Sequence, residues 1–128
     1  MFRTFATVAG ASLLLVGMSA VQAQAWERLG TRMVSDKMET DSVSGVGEGR
    51  FSQIRLCVAR RAVHFRDVDV VFGNGGKQDV KVRKRIGPGA CTRAIDLKGN
   101  KRRVRRVVMR YKTIRTKGPQ AVVTVFAR

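Results

Sequence analysis

Apolar residues recur at every second position along most of this chain, and that period constrains its fold more than any other feature. Ile54, Leu56 and Val58 alternate with Arg55 and Cys57, and Val68, Val70 and Phe72 alternate with Asp69 and Val71. Val80 and Val82 alternate with Lys81 and Arg83, Val107, Met109 and Tyr111 with Val108 and Arg110, and Val123 and Val125 with Thr124. A period of two sends successive side chains to opposite sides of an extended chain, so each run has one face to bury. β-Branched residues fill the runs, and Gly, Asn and Pro separate them. Strands are expected near residues 27–35, 38–44, 50–60, 62–72, 78–85, 92–97, 103–114 and 121–127.

Turns are expected at Gly45 to Gly49, Gly73 to Gly76, Gly87-Pro88-Gly89, Gly99-Asn100 and Gly118-Pro119. Asn74-Gly75 is a strong hairpin signal, because both residues tolerate positive φ. The apolar register slips between Phe65 and Val68, which predicts a β-bulge at Arg66-Asp67 or a break into two strands. No convincing amphipathic helix follows Trp26. The fold class expected is all-β: a single antiparallel β-sandwich of about 7–8 strands after an N-terminal signal peptide helix. A lipid-facing barrel is the competitor. It needs longer strands and aromatic girdles, whereas residues 26–128 hold six aromatics and alternate apolar residues with Arg and Lys.

Residues 1–25 have the three parts of a secretory signal peptide, and residues 26–128 remain as a single domain. Arg3 supplies the positive start, Val8 to Met18 the apolar middle, and Val21-Gln22-Ala23 and Ala23-Gln24-Ala25 the small residues at cleavage spacing. Cleavage is expected after Ala25, or after Ala23. A membrane anchor needs about 20 predominantly apolar residues, and this stretch is broken by Gly10, Ser12, Gly17, Ser19, Gln22 and Gln24. No later segment is suited to span a membrane as a helix. The expected location is therefore exported, either periplasmic or secreted.

Charge is distributed unevenly. Trp26 to Gly76 holds eight basic and seven acidic residues, whereas Lys77 to Arg128 holds seventeen basic and two acidic ones. Such a field attracts polyanions: lipopolysaccharide, anionic lipid, acidic polysaccharide or nucleic acid. It also serves solubility with no ligand at all. Period two places Lys81, Arg83 and Arg85 on the outer face of one strand and Arg106, Arg110 and Lys112 on that of another. Neighbours in such a row stand about 7 Å apart. Lys98, Lys101, Arg102 and Arg103 add a charged turn between the rows. If both strands share a sheet, the rows are expected to merge into one basic face. Like charges facing each other across strands destabilise a sheet, and a bound anion would relieve that cost. Sequence-specific nucleic-acid readout is not expected, because zinc spacing, a recognition helix and aromatic interleaving are all missing.

Cys57 and Cys91 are the two cysteines. An oxidising compartment favours a disulfide between them, while the strand assignment argues against easy pairing. His64 is the single histidine and should face outward. A Cys–His nucleophile is weakly signalled, and no nucleophile elbow, zinc-protease motif or phosphate loop is present. Gly73-Asn74-Gly75-Gly76-Lys77 reads as a hairpin. Glu39 with Asp41, and Asp67 with Asp69, can each share a face, as acids for hydrolysis or ligands for a cation. A solvated strand edge is the better explanation, because two acids at i, i+2 recur by chance. No enzyme, cofactor or metal is expected.

An ordered set of short features runs through nearly all of residues 26–128. These are Leu29-Gly30, Glu39-Thr40-Asp41, Ile54 to Val58, Val70 to Gly75, Ala94 to Leu97, Lys101-Arg102, a strand ending at Tyr111, and the terminal apolar strand Val122 to Ala127. In these the chain resembles a bacterial family of small exported all-β proteins of unknown function. The resemblance implies an exported β-domain and assigns no residue a role. The expected function is a non-catalytic binding module whose basic face takes polyanionic envelope or extracellular ligands. The alternatives are a structural or protein-interaction domain, with its protein partner unknown, and a small hydrolase using paired carboxylates.

Overall fold

The alternating runs become nine strands in two antiparallel sheets, described for residues 25–34, 39–44, 49–113 and 118–128 by a computed structural model. The strands are β1 (Glu27–Met33), β2 (Glu39–Ser44), β3 (Gln53–Ala59), β4 (Val63–Phe72), β5 (Lys77–Val80), β6 (Lys84–Ile86), β7 (Ile95–Asp96), β8 (Val104–Thr113) and β9 (Val122–Ala127). One sheet has the order β1-β9-β3-β7, the other β2-β8-β4-β5, with β6 also paired to β4. The signal-peptide helix, the Ala23 cleavage position and parts of the 45–49 turn lie outside the described residues. Among the described residues there is no helix long and apolar enough to cross a membrane.

The core sits between the sheets. Ile54, Leu56, Val58, Val123, Val125 and Ala127 face it from one side. Phe65, Val68, Val70, Val107, Met109 and Tyr111 face it from the other. This is the all-β sandwich that period two predicts. Burying each large aliphatic or aromatic side chain contributes about 1.5–3 kcal/mol, so these alternating positions hold the register.

The expected slip in β4 is a bulge. Pairing with β8 passes from Phe65↔Tyr111 to Asp67↔Arg110 and leaves Arg66 as the extra residue. The strand expected over 78–85 divides at the same level. β5 ends with Val80 opposite Val68, β6 begins with Lys84 opposite Phe65, and residues 81–83 pass the bulge between them. The strand expected over 92–97 shortens to Ile95–Asp96. At the far end of β4 the Asn74-Gly75 hairpin forms as its residues dictate. Gly75 has φ +90°, and Asn74 Oδ1 accepts a hydrogen bond from Gly76 N at 2.9 Å.

Cys57 and Cys91 are joined by a disulfide, which corrects the expectation that strand geometry opposes their pairing. Residues 89–92 run alongside β3. Gly89 N donates to Val58 O at 2.8 Å, Val58 N to Ala90 O at 2.9 Å and Thr92 N to Leu56 O at 2.8 Å. Cys57 and Cys91 therefore oppose each other between these bonds, where cross-strand side chains stand closest.

Gly30 follows a register shift in β1 and lies against Val43 of β2, where a Cβ would come within 2.5 Å of Val43 Cγ1. The two sheets approach along this edge without room for a methyl group. Gly30→Ala should therefore destabilise the domain by about 1–3 kcal/mol, read as a shift in the urea midpoint. Replacing both cysteines by serine should remove about 3–4 kcal/mol, since the bond closes a loop with a sequence separation of 34. An unchanged midpoint in either variant would contradict this packing and this cross-link.

Candidate anion-binding face

The outer face of the five-stranded sheet reads as cross-strand rows. Lys112 of β8, His64 of β4 and Arg85 of β6 form one row, and all three are exposed. The next row places Thr40, Arg110 and Asp67 side by side, with Arg110 Nη1 donating to Asp67 Oδ2 at 3.2 Å. Ser42, Val108, Asp69 and Asp79 follow, then Ser44, Arg106, Val71 and Lys77. The two cationic strands share a sheet, yet their rows do not merge along their length. β4 lies between them and places Asp67 and Asp69 there, with Asp79 of β5 beside them.

Carboxylate oxygens of Asp67, Asp69 and Asp79 all lie within 4.8 Å of one another. Such a trio offers hard oxygen ligands of the kind calcium and magnesium take. Lys81 Nζ, 3.3 Å from Asp79, and Arg110 already bring positive charge to it. Partial burial, and then the hydrogen bond and charge of the Asp79 carboxylate, raise the pKa of Asp67 above the ordinary aspartate value of 3.8. The largely solvated Arg110 does not offset this. Asp79 shifts the other way, lowered chiefly by its hydrogen bond with Asp67 and then by that with Lys81.

Residues 81–86 hold four cations in six positions. Val82 and Ile86 are buried and anchor it, while Lys81, Arg83, Lys84 and Arg85 are exposed. Lys81, Arg83 and Lys84, facing Thr92 and Arg93, line a hollow of about 190 Å³. A second hollow of about 490 Å³ is lined by His64, Arg66, Asp67 and Arg83. Arg83 lines both. Among the described residues, Arg83, Lys84, Arg85, Arg93, Arg106 and Lys112 have no carboxylate partner.

Lys98, Lys101, Arg102 and Arg103 stand elsewhere. Gly73 N donates to Arg103 O at 2.9 Å, which puts this turn at the Phe72 end of β4, whereas β6 pairs with the Val63 end. The charged turn does not bridge the two rows. The cations instead form two groups at opposite ends of one strand.

Arg66, Lys84 and Arg93 belong to the first group, although strand alternation does not point to them. Arg66 is the bulge residue itself. Strict alternation with Val80 and Val82 turns Lys84 inward, and the break in the strand exposes it. Arg93 falls within the expected 92–97 strand but precedes the shorter strand that forms. The remaining chemical candidates separate. Cys57 is held in the disulfide on the outer side of one sheet, and His64 is exposed on the outer side of the other. Asp41 accepts hydrogen bonds from Tyr111 Oη at 2.6 Å and Arg32 Nε at 3.0 Å, so it satisfies a buried phenol. The side chain of Glu39 lies outside the described residues.

On the other face of the sandwich, aromatic rings engage the arginines. The guanidinium of Arg55 lies 4.4 Å from the centroid of Trp26, and that of Arg128 lies 4.3 Å from it. Arg55 and Arg128 are thus already engaged on this face, while Arg28 of β1 is exposed there.

The carboxylate trio yields a pH test. A raised Asp67 favours the folded state below its ordinary pKa of 3.8, and that contribution fades as pH rises through the folded value. The lowered Asp79 acts in the opposite sense, and its contribution fades as pH falls through its folded value. Asp79→Asn should therefore shift the Asp67 titration, followed by carboxyl ¹³C NMR, to lower pH. An unmoved Asp67 midpoint would show that the two do not interact.

No curated protein and no solved structure matches the chain. The family model described as "Domain of unknown function (DUF2541)" matches residues 8–127. With nearly the whole two-sheet domain inside that match, the chain belongs to the DUF2541 family.

Proposed function

We propose that this protein is an exported, non-catalytic module that binds polyanions through the 81–86 edge and the adjoining outer face of the five-stranded sheet. One observation carries the reading: around two hollows that share Arg83, the exposed Arg83, Lys84 and Arg93 have no carboxylate partner among the described residues. Exposed cations this close repel one another. A chain of anionic groups laid along Arg93, Lys84, Arg83, Arg85 and Lys112 relieves that repulsion at several points together. The acid trio beside it gives the face a boundary, which a uniform field lacks.

The ligand class is an envelope or extracellular polyanion, such as lipopolysaccharide, anionic lipid or acidic polysaccharide. The leader-like residues 1–25 support an exported setting. Arg110 is already bonded to Asp67 and is less available than strand alternation alone implies.

Protein secreted from cells expressing the full chain should bind heparin, lipopolysaccharide and anionic vesicles. Its affinity should fall steeply with salt, since the interacting groups are solvent-exposed charges screened beyond about 8 Å at physiological ionic strength. With duplex DNA as a reference polyanion, the triple substitution Arg83→Gln, Lys84→Gln, Arg85→Gln should flatten the log–log salt slope. The change should be roughly one unit for each cation–phosphate pair removed. Arg28→Gln serves as the control, since Arg28 lies on β1 of the other sheet. Equal effects per charge removed would reject a defined face, and a stoichiometric protein partner would then become the better reading.

A further inference from the structure

The Phe72 end of β4 holds a second arginine group that the polyanion face does not use. Three backbone bonds assemble it. Phe51 N donates to Arg102 O at 2.7 Å, Arg102 N to Phe51 O at 2.8 Å, and Gly73 N to Arg103 O at 2.9 Å. The Arg102 guanidinium lies over the Phe72 ring, 3.7 Å from its centroid. Its Nη1 donates to the Lys98 carbonyl at 2.8 Å, and its Nη2 lies 3.5 Å from Asn74 Oδ1. Two glycines leave room for the arginine stems. A Cβ on Gly73 would stand 3.1 Å from Arg103 Cδ, and one on Gly99, at φ +87°, would stand 3.0 Å from Arg102 Cδ. With Arg50 these arginines line a hollow of about 330 Å³. None of the three has a carboxylate partner among the described residues.

We propose that this hollow is a discrete site for one phosphomonoester group, separate from the polyanion face and independent of it. Its charged lining is arginine alone. Guanidinium forks suit tetrahedral oxyanions, with two parallel hydrogen bonds each, where an ammonium offers a point charge. A phosphomonoester carries close to two negative charges near neutral pH and three strong acceptor oxygens. Three guanidinium groups match that charge and oxygen count better than they match a carboxylate, which has one charge and two oxygens. Arg102 is held in place by the ring and by Lys98 O before any ligand arrives, which reduces the ordering cost of binding. The volume leaves space for the organic group that bears the phosphate. Judged from the strand rise along β4, the site stands about 13 Å from the level of Val68, where the 81–86 edge begins, and about 23 Å from that of Phe65, opposite Lys84.

The test uses the same secreted protein at about 0.15 M salt, where unshaped charge attraction is weak. The soluble probes are inorganic phosphate, glycerol 3-phosphate and sulfate. The membrane probes are phosphatidylcholine vesicles containing either phosphatidic acid, a monoester, or phosphatidylglycerol, a diester. Amide shifts followed by ¹H–¹⁵N NMR should saturate at one site with glycerol 3-phosphate and cluster on residues 72–76 and 98–103. Arg103→Gln and Arg50→Gln, both exposed, should each weaken binding by roughly tenfold, in line with loss of a charge-assisted hydrogen bond. Arg83→Gln should leave it unchanged. A preference for phosphatidic acid vesicles without binding of soluble monoesters would place the same group on a lipid. Equal response to sulfate and phosphate, or shifts spread over all exposed cations without saturation, would overturn the proposal. Because it is read apart from the salt-dependent polyanion assay, failure of one leaves the other standing.

Discussion

A closed apolar layer between two sheets dictates where everything else in this protein goes. Burying an unpaired cation is far too costly to offset with the few kilocalories that hold a domain of this size. With nearly all inward positions taken by aliphatic and aromatic side chains, the many arginines and lysines must leave by the outer faces and edges. Their grouping then depends on topology. β4 lies at the middle of the five-stranded sheet and brings acids to its outer side, so charge cannot spread evenly across that face.

The Arg66 bulge links local structure to the candidate surface. It lets β4 keep Phe65 and Val68 both inward, although they are an odd number of residues apart. On one side β8 runs past it unbroken, and on the other residues 81–83 separate β5 from β6 at the same level. Lys81 and Arg83 are exposed there around the buried Val82, and Lys84 emerges at the edge. A feature needed for packing thus concentrates cations at one place. At the other end of the strand, two turns, one starting at Gly73 and one containing Gly99, gather arginines by a different route. On the opposite face of the sandwich Arg55 and Arg128 stack on Trp26, and Arg55 also lies near Phe126.

Much of the fold is legible in the sequence because period two is an unambiguous signal where one face is buried. The strand runs around Leu56, Val70, Met109 and Val125, the Asn74-Gly75 turn and the bulge are all readable from apolar spacing and turn residues. Pairing partners are not. Nothing local indicates that residues 89–92 run beside β3, so the geometry that joins Cys57 to Cys91 is invisible to a strand-by-strand reading. The same limit applies to the surface. The outward position of Arg83, Arg85, Arg106, Arg110 and Lys112 follows from alternation, but which rows adjoin is set by strand order. Arg50 is distant in sequence from Arg102 and Arg103, and only the Phe51–Arg102 backbone pairing brings them together.

The proposed binding mode requires a bounded basic surface on the five-stranded sheet and none on the four-stranded sheet. Chemical modification of arginine and lysine, mapped by mass spectrometry with and without heparin at about 0.15 M salt, tests it residue by residue. Protection is expected at Arg83, Lys84, Arg85, Arg93 and Lys112, with Arg28 of the four-stranded sheet still reactive. Protection shared evenly between the two sheets would contradict it and would reduce the charge to a general field.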